Sequence, residues 1–276
     1  MRPVPPLVSA AWLAERATDA DLRIVDVRWR LGQPGAGRGL YESGHLPGAV
    51  YLDVDGDLAA PPGSGPGRHP LPTPERFAEA MGRAGIGEAT RVVAYDDQGG
   101  AIAARLWFLL RYFGHETGAV LDGGLAAWAG PLTANAPTFP RAPFTAAPRP
   151  ELVVDRQTVA RGGALLLDAR APERYRGETE PIDPRAGHVP GALSAPFAGN
   201  LDGGSRFLPP EELHRRFAEL GAAGGREVVS YCGSGVTACH NLLALDLAGL
   251  PAKLYEGSWS DWSSDPAAPV ATGAEP

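Results

Sequence analysis

With 276 residues the chain exceeds the usual size of one globular domain, so two domains or one large barrel are expected, and a formal net charge of −7 without any basic stripe argues against nucleic acid as a partner. Only two cysteines occur, Cys232 and Cys239; they are too few for a disulfide framework and lack the spacing of a four-ligand zinc site, so neither metal nor cofactor is expected while a catalytic thiol stays open. The opening residues 1–6 lack the apolar stretch of a signal peptide and no later run has the length of a membrane helix, which predicts a soluble cytoplasmic protein with no membrane partner.

In chain order, the first short apolar strand is Val25-Asp26-Val27-Arg28, followed by the turn Gly44-His45-Leu46-Pro47-Gly48-Ala49. Residues 61–72, rich in Gly and Pro, read as a surface loop, and a helical pattern then runs from Thr73 to Ala84. The strand Arg91-Val92-Val93-Ala94-Tyr95 comes next, then a helix from Ala101 to Phe113 and the block Asp122-Gly123-Gly124 with Trp128. Residues 131–150, rich in Pro, Ala and Thr without a helical period, read as a linker.

After that stretch the same blocks return. Leu167-Asp168-Ala169-Arg170 repeats the first strand, Gly187-His188-Val189-Pro190-Gly191-Ala192 the turn, Glu227-Val228-Val229-Ser230-Tyr231 the later strand, and Glu256-Gly257-Ser258 with Trp262 the last block. The chain is thus written twice, as residues 1–130 and 151–276 around the linker 131–150. Strands alternating with helical patterns make each half an α/β domain, a parallel sheet flanked by helices, with its chemistry at the carboxyl ends of the strands.

One such end carries Cys232-Gly233-Ser234-Gly235-Val236-Thr237-Ala238, followed by a helical run from Cys239 to Ala248. A strand-to-helix turn of small residues aims backbone N–H groups at one point and adds the positive end of a helix, so it stabilises negative charge on a sulfur there. A lone Cys is more often a buried small hydrophobe, but a core position has no need of flanking glycines. Cys239, in the first helical turn, is read as packing. The large aromatics Trp107, Trp128, Trp259 and Trp262 are likewise read as packing.

The loop Cys-Gly-Ser-Gly-Val-Thr-Ala, the paired Gly-His-x-Pro-Gly-Ala turns, and the Asp-Gly-Gly and Glu-Gly-Ser-Trp blocks together resemble the tandem-domain rhodanese-family sulfurtransferases, the mercaptopyruvate branch above all. The resemblance spans nearly the whole chain. It implies two tandem rhodanese-like domains, of which the first is catalytically silent because Asp96 stands where Cys232 stands in the second. It also implies that Cys232 takes a sulfur from a small anionic donor, 3-mercaptopyruvate or alternatively thiosulfate, as a persulfide and passes it to a thiol, cyanide or thioredoxin-like acceptor.

For substrate binding the resemblance singles out Arg174, within Asp168 to Gly177, and Arg185 where the spacing is less close, together with the loop residues Gly233, Gly235, Val236, Thr237 and Ala238. An arginine fork suits the anionic donor. For proton transfer it suggests Asp26, His45 and Ser234, although the counterparts Asp168 and His188 in the other half allow Asp26 and His45 a purely structural role. Arg170 is read as a partner of Asp168. Three other classes fit the sequence less well. A phosphatase of related fold needs an arginine at position 238, which is Ala; a Cys232–Cys239 redox switch needs the two sulfurs within bonding distance; and a scaffold module would lack the loop Cys.

Overall fold

The computed structural model describes residues 4–276, so residues 1–3 of the opening segment lie outside the described residues. The chain forms two compact units: residues up to 60 with 72–149 and 203–206 make the first, and residues 61–71, 150–202 and 207–276 make the second.

In the first unit the elements are β1 (Leu7–Val8), α1 (Ala10–Ala14), β2 (Leu22–Asp26), α2 (Ala36–Ser43), β3 (Ala49–Tyr51), α3 (Pro74–Arg83), β4 (Arg91–Tyr95), α4 (Ala103–Tyr112) and β5 (Gly118–Leu121). The sheet is parallel throughout, in the order β1-β5-β4-β2-β3. Strands of such sheets are covered on both faces, and all five residues of β4 are buried accordingly. Thr73 caps α3 by accepting a hydrogen bond from the Arg76 N–H at 3.3 Å, Pro74 suits its first turn, and Phe77, Ala80 and Met81 form the buried stripe.

Residues 131–149 contain no regular helix or sheet strand, but they are not a free linker. The Ala142 N–H donates to the Gly82 carbonyl at 3.2 Å, Ala147 to Phe113 at 3.0 Å and Arg149 to Tyr112 at 2.8 Å, while the Arg23 guanidinium lies 3.8 Å from the Phe139 ring centre. Prolines prevent a helix there, yet the amides between them still find partners on the first unit.

The second unit repeats the plan with β6 (Val153–Val154), α5 (Arg156–Arg161), β7 (Leu165–Asp168), α6 (Pro172–Tyr175), β8 (Ala192–Ser194), α7 (Pro210–Glu219), β9 (Val228–Tyr231), α8 (Ala238–Leu247), β10 (Lys253–Tyr255) and α9 (Ser258–Trp262). Its parallel order, β6-β10-β9-β7-β8, matches the first sheet strand for strand. Trp259 and Trp262 are buried beside Tyr231 and Tyr255 in the second core.

The repeated sequence blocks turn out to be the same bonds made twice. Asp26 pairs with Arg28 and Asp168 with Arg170, each at 2.6 Å. His45 stacks on Tyr41 and His188 on Tyr175, both with ring centres 3.8 Å apart. The hydroxyls of Tyr95 and Tyr231, at the ends of β4 and β9, accept from the amides of Leu46 and Val189 in the two Gly-His turns, at 3.1 and 3.2 Å. The repeated motif thereby fastens each turn to the strand that precedes the functional loop.

Candidate active site

In the second sheet β7 leads outward to β8 and β9 leads the other way to β10, so the order reverses between β7 and β9. Ligands of open α/β sheets bind outside the strand ends at such a reversal. Cys232 is the residue directly after β9, and it is buried.

Its loop is tied down on every side within the unit. The Cys232 N–H donates to Ser258 Oγ at 3.2 Å, and the carbonyls of Cys232 and Gly233 each accept from the first turn of α9, from the Trp259 and Ser260 amides, at 2.9 Å. The loop then turns back so that the Gly235 N–H points at Cys232 Sγ from 3.2 Å. Gly235 has φ +79°, a left-handed conformation that a side chain would strain. Ser258 holds a φ of +54° without being glycine, and its hydroxyl, which also donates to the Tyr255 carbonyl at 3.0 Å, is what holds the Cys232 amide. Val236 and Thr237 lead into α8, which starts at Ala238. Cys239 Sγ donates to the Gly235 carbonyl at 3.3 Å, so this second thiol supports the turn.

Ser234 Oγ lies 2.6 Å from Nδ1 of His69, both residues being buried. The histidine comes from the segment 61–71, which belongs to the second unit and is held against α9: the Arg68 N–H donates to Ser260 Oγ at 3.0 Å. Gly67, at φ +72°, permits that approach, since a Cβ there would meet the Gly257 carbonyl oxygen at 2.4 Å. Arg68 follows and forms an ion pair with Asp183.

Arg174, on α6, pairs with Glu180 at 2.7 Å and Asp183 at 3.3 Å. The guanidinium groups of Arg68 and Arg174 both lie against Gly233: a Cβ at that position would sit 3.1 Å from Arg68 Nη2 and 3.4 Å from Arg174 Nη1. Burial pushes the Asp183 carboxyl above the usual carboxylate range even with two arginines pulling the other way. Burial acts on Glu180 too, but the Arg174 guanidinium and the amides of Asp183 and Ile182 outweigh it and hold that carboxyl low.

The other expected site residues go elsewhere. Arg185 donates to four carbonyls, those of Ser263 (3.0 Å), Ala268 (2.8 Å), Trp262 (3.1 Å) and Asp265 (2.6 Å), and so clasps the end of α9 and the chain after it. Asp26 and His45 are fully buried in the first unit, with bonds to Arg28, Tyr95, Tyr41 and Asn135. The imidazole that the structure brings to Ser234 is that of His69, not His45. His69 and Arg68 escaped the sequence reading because a Gly/Pro-rich stretch has no period to interpret; the available signal was that they are the only ionisable residues between positions 61 and 71. Among the described residues no cluster of side chains suits a metal ion.

The rhodanese-like domain model matches residues 9–131 and 154–265, one match in each parallel-sheet unit, the second of which carries the cysteine loop. The chain belongs to the rhodanese family. It is 49% identical to a Pseudomonas aeruginosa protein described as "Probable 3-mercaptopyruvate sulfurtransferase", over 97% of this chain and 98% of that one. It is 38% identical to human 3-mercaptopyruvate sulfurtransferase, over 93% and 91% of the two chains. Among solved structures it resembles the Escherichia coli 3-mercaptopyruvate enzyme with a TM-score of 0.82 at 36% identity, covering 93% of this chain and all of that one.

Proposed function

We propose that this sulfurtransferase moves a sulfane sulfur from 3-mercaptopyruvate to a thiol acceptor through a persulfide on Cys232, with the second unit catalytic and the first silent. The observation that carries this reading is the joining of an amide-cradled thiol to a hydroxyl–imidazole pair: Gly235 N–H at Cys232 Sγ, and His69 at Ser234 two residues along.

The Cys232 thiolate attacks the donor's sulfur, forming an S–S bond as the donor's C–S bond breaks. The C–S electron pair passes to carbon as the enolate of pyruvate, and the proton of the donor's thiol is moved through Ser234 and His69 to that carbon. Pyruvate and a Cys232 persulfide anion result. An acceptor thiol then takes the outer sulfur and returns Cys232 to the thiolate. The donor's carboxylate rests against the Arg68 and Arg174 guanidinium groups beside Gly233, where charge-assisted bonds orient it. Asp26 and His45 hold the first unit's framework, and Arg185 holds α9.

Cyanide or a thioredoxin-like thiol would serve as acceptor. A cytoplasmic setting accords with both cysteines being free, and no helix among the described residues is long and apolar enough to cross a membrane. Thiosulfate is a second donor reading, favoured by the Gly235 amide at Cys232 Sγ, which attracts any anionic donor alike. Intact-mass measurement after incubation with each donor tests the proposal: one added sulfur atom on the protein, absent in Cys232→Ser, and a higher kcat/KM for mercaptopyruvate are expected. A sulfur adduct that survives the substitution overturns the assignment of the nucleophile.

A further inference from the structure

Beside the sulfur loop an anionic residue stands between the two arginines that face it. Asp183 is nearly fully buried; one carboxylate oxygen pairs with Arg68 Nη1, and the other lies 3.3 Å from Arg174 Nη2. These pairs leave Arg68 Nη2 and Arg174 Nη1 as the amino groups turned to Gly233. The charges next to them are Arg170, which bridges Asp168 at 2.6 Å and Glu180 at 3.3 Å, and Glu180 itself on Arg174. Three guanidinium groups therefore meet three carboxylates, Asp168, Glu180 and Asp183, and the cluster is neutral.

A neutral cluster with two outward N–H forks still binds a carboxylate, because the forks provide directed hydrogen bonds at short range. It does not supply the surplus positive potential that a second negative charge on the same ligand requires. We infer that Asp183 is a donor-specificity residue: by neutralising one of the paired arginines Arg68 and Arg174, it favours a monoanionic carboxylate donor over the thiosulfate dianion. This rests on the sulfurtransferase reading above. Arg68 is its counterpart, a second donor-binding cation delivered by the 61–71 segment rather than by the cysteine loop, in which no Arg or Lys occurs between Cys232 and Cys239.

The test compares kcat/KM for thiosulfate and for 3-mercaptopyruvate, with one acceptor, in the wild type, Asp183→Asn, Arg68→Gln and the double variant. Asp183→Asn leaves the cluster with one positive charge and is expected to raise the thiosulfate-to-mercaptopyruvate ratio about tenfold, the order of effect of one unscreened charge at such a site. Arg68→Gln leaves one negative charge and should lower the ratio by about as much, and the neutral double variant should return it towards the wild-type value. Should Asp183→Asn fail to fold, the fall in Arg68→Gln still decides the matter. A ratio unmoved in the folded variants overturns the inference and leaves the persulfide reading intact. A wild type that gains no sulfur at Cys232 from either donor overturns that reading and the inference with it.

Discussion

The loop after β4 in the first unit and the loop after β9 in the second are built on the same strand position, and each has its first carbonyl tied by an amide of the following glycine-bearing block: Leu125 to Asp96 at 2.8 Å, Trp259 to Cys232 at 2.9 Å. Their contents differ. In the first, one oxygen of Asp96 accepts from the Gln98 and Gly100 amides at 2.8 and 2.9 Å, and the other from Ile102 and Ala103 at 2.7 and 2.8 Å. In the second, the group inside the turn is the Cys232 thiol, facing the Gly235 amide. Four backbone amides thus surround the side chain at this strand end in the first unit and one points at it in the second, and the side chain there decides what is done with them. Burial pushes the Asp96 carboxyl up while four amides pull against it, so the first loop has its donors satisfied from within by its own side chain. The second turns the Gly235 amide to the Cys232 sulfur instead.

On the proposed persulfide route the thiol is the group that takes the sulfur, so Cys232→Ser should lower turnover roughly a thousandfold or more, because serine does not accept a sulfane sulfur. Steady-state rates with mercaptopyruvate check this; appreciable turnover in the variant would mean that the second loop is no more reactive than the first.

The next difference is the neighbour of the loop. Position 98 in the first unit is Gln, with its amide nitrogen 3.1 Å from the Trp29 carbonyl, whereas position 234 in the second is a serine in contact with His69. Replacing His69 by Asn removes a group able to carry the proton, and a loss of about a hundredfold in kcat is expected. The pH profile of kcat should lose a limb as well. A His69→Asn enzyme with the wild-type profile would transfer the proton role to water or substrate.

How much of this was legible in the sequence follows from what generates each feature. The two sheets were readable because duplication wrote the same strands and turns twice, and the turn after β9 because glycines at the end of a buried strand have no packing purpose. Asp26 and His45 stand in a motif repeated in both halves, and the bonds they make are those both halves share, the Asp–Arg pair and the Tyr–His stack, in keeping with the structural role their counterparts Asp168 and His188 allowed. Arg185 lies close in sequence to a substrate-binding pattern, but its direction is fixed by the carbonyls at the end of α9, which no spacing rule reveals. His69 reaches Ser234 across 165 positions from an aperiodic segment. Contacts of that kind depend on where a loop is anchored, here by Gly67 and Ser260, and local patterns carry no trace of it.

The arginines sharpen this distinction between direct contact and support. Arg174→Ala should lower kcat/KM about 10- to 150-fold, since a charge-assisted hydrogen bond contributes roughly 1.5–3 kcal/mol and each 1.36 kcal/mol is about tenfold. Arg185→Ala, by contrast, removes donors to four carbonyls around α9 and should act mainly on stability, lowering Tm with KM little changed. Paired kinetics and thermal melts separate the two, and a rise in KM in Arg185→Ala equal to that in Arg174→Ala would return Arg185 to the donor site.

The smallest effect on activity should come from the residue that makes the first loop what it is. Asn at position 96 keeps the size of Asp but offers one acceptor oxygen in place of two, and its amide group is itself a donor. The Gln98 and Gly100 pair, or the Ile102 and Ala103 pair, would then face an N–H2 group in a fully buried site and stay unsatisfied. An unmet buried donor costs about 1–3 kcal/mol, so Asp96→Asn is expected to destabilise the chain by roughly 2–4 kcal/mol, read as an earlier denaturant midpoint with an unchanged slope. Its folded fraction should transfer sulfur at the wild-type rate, because every bond that Asp96 makes is to the first unit, while the thiol, His69, Arg68 and Arg174 are all held by the second. Loss of turnover in folded Asp96→Asn would show that the first loop takes part in the reaction. Unaltered stability would show that the anion-like cradle is not what Asp96 provides.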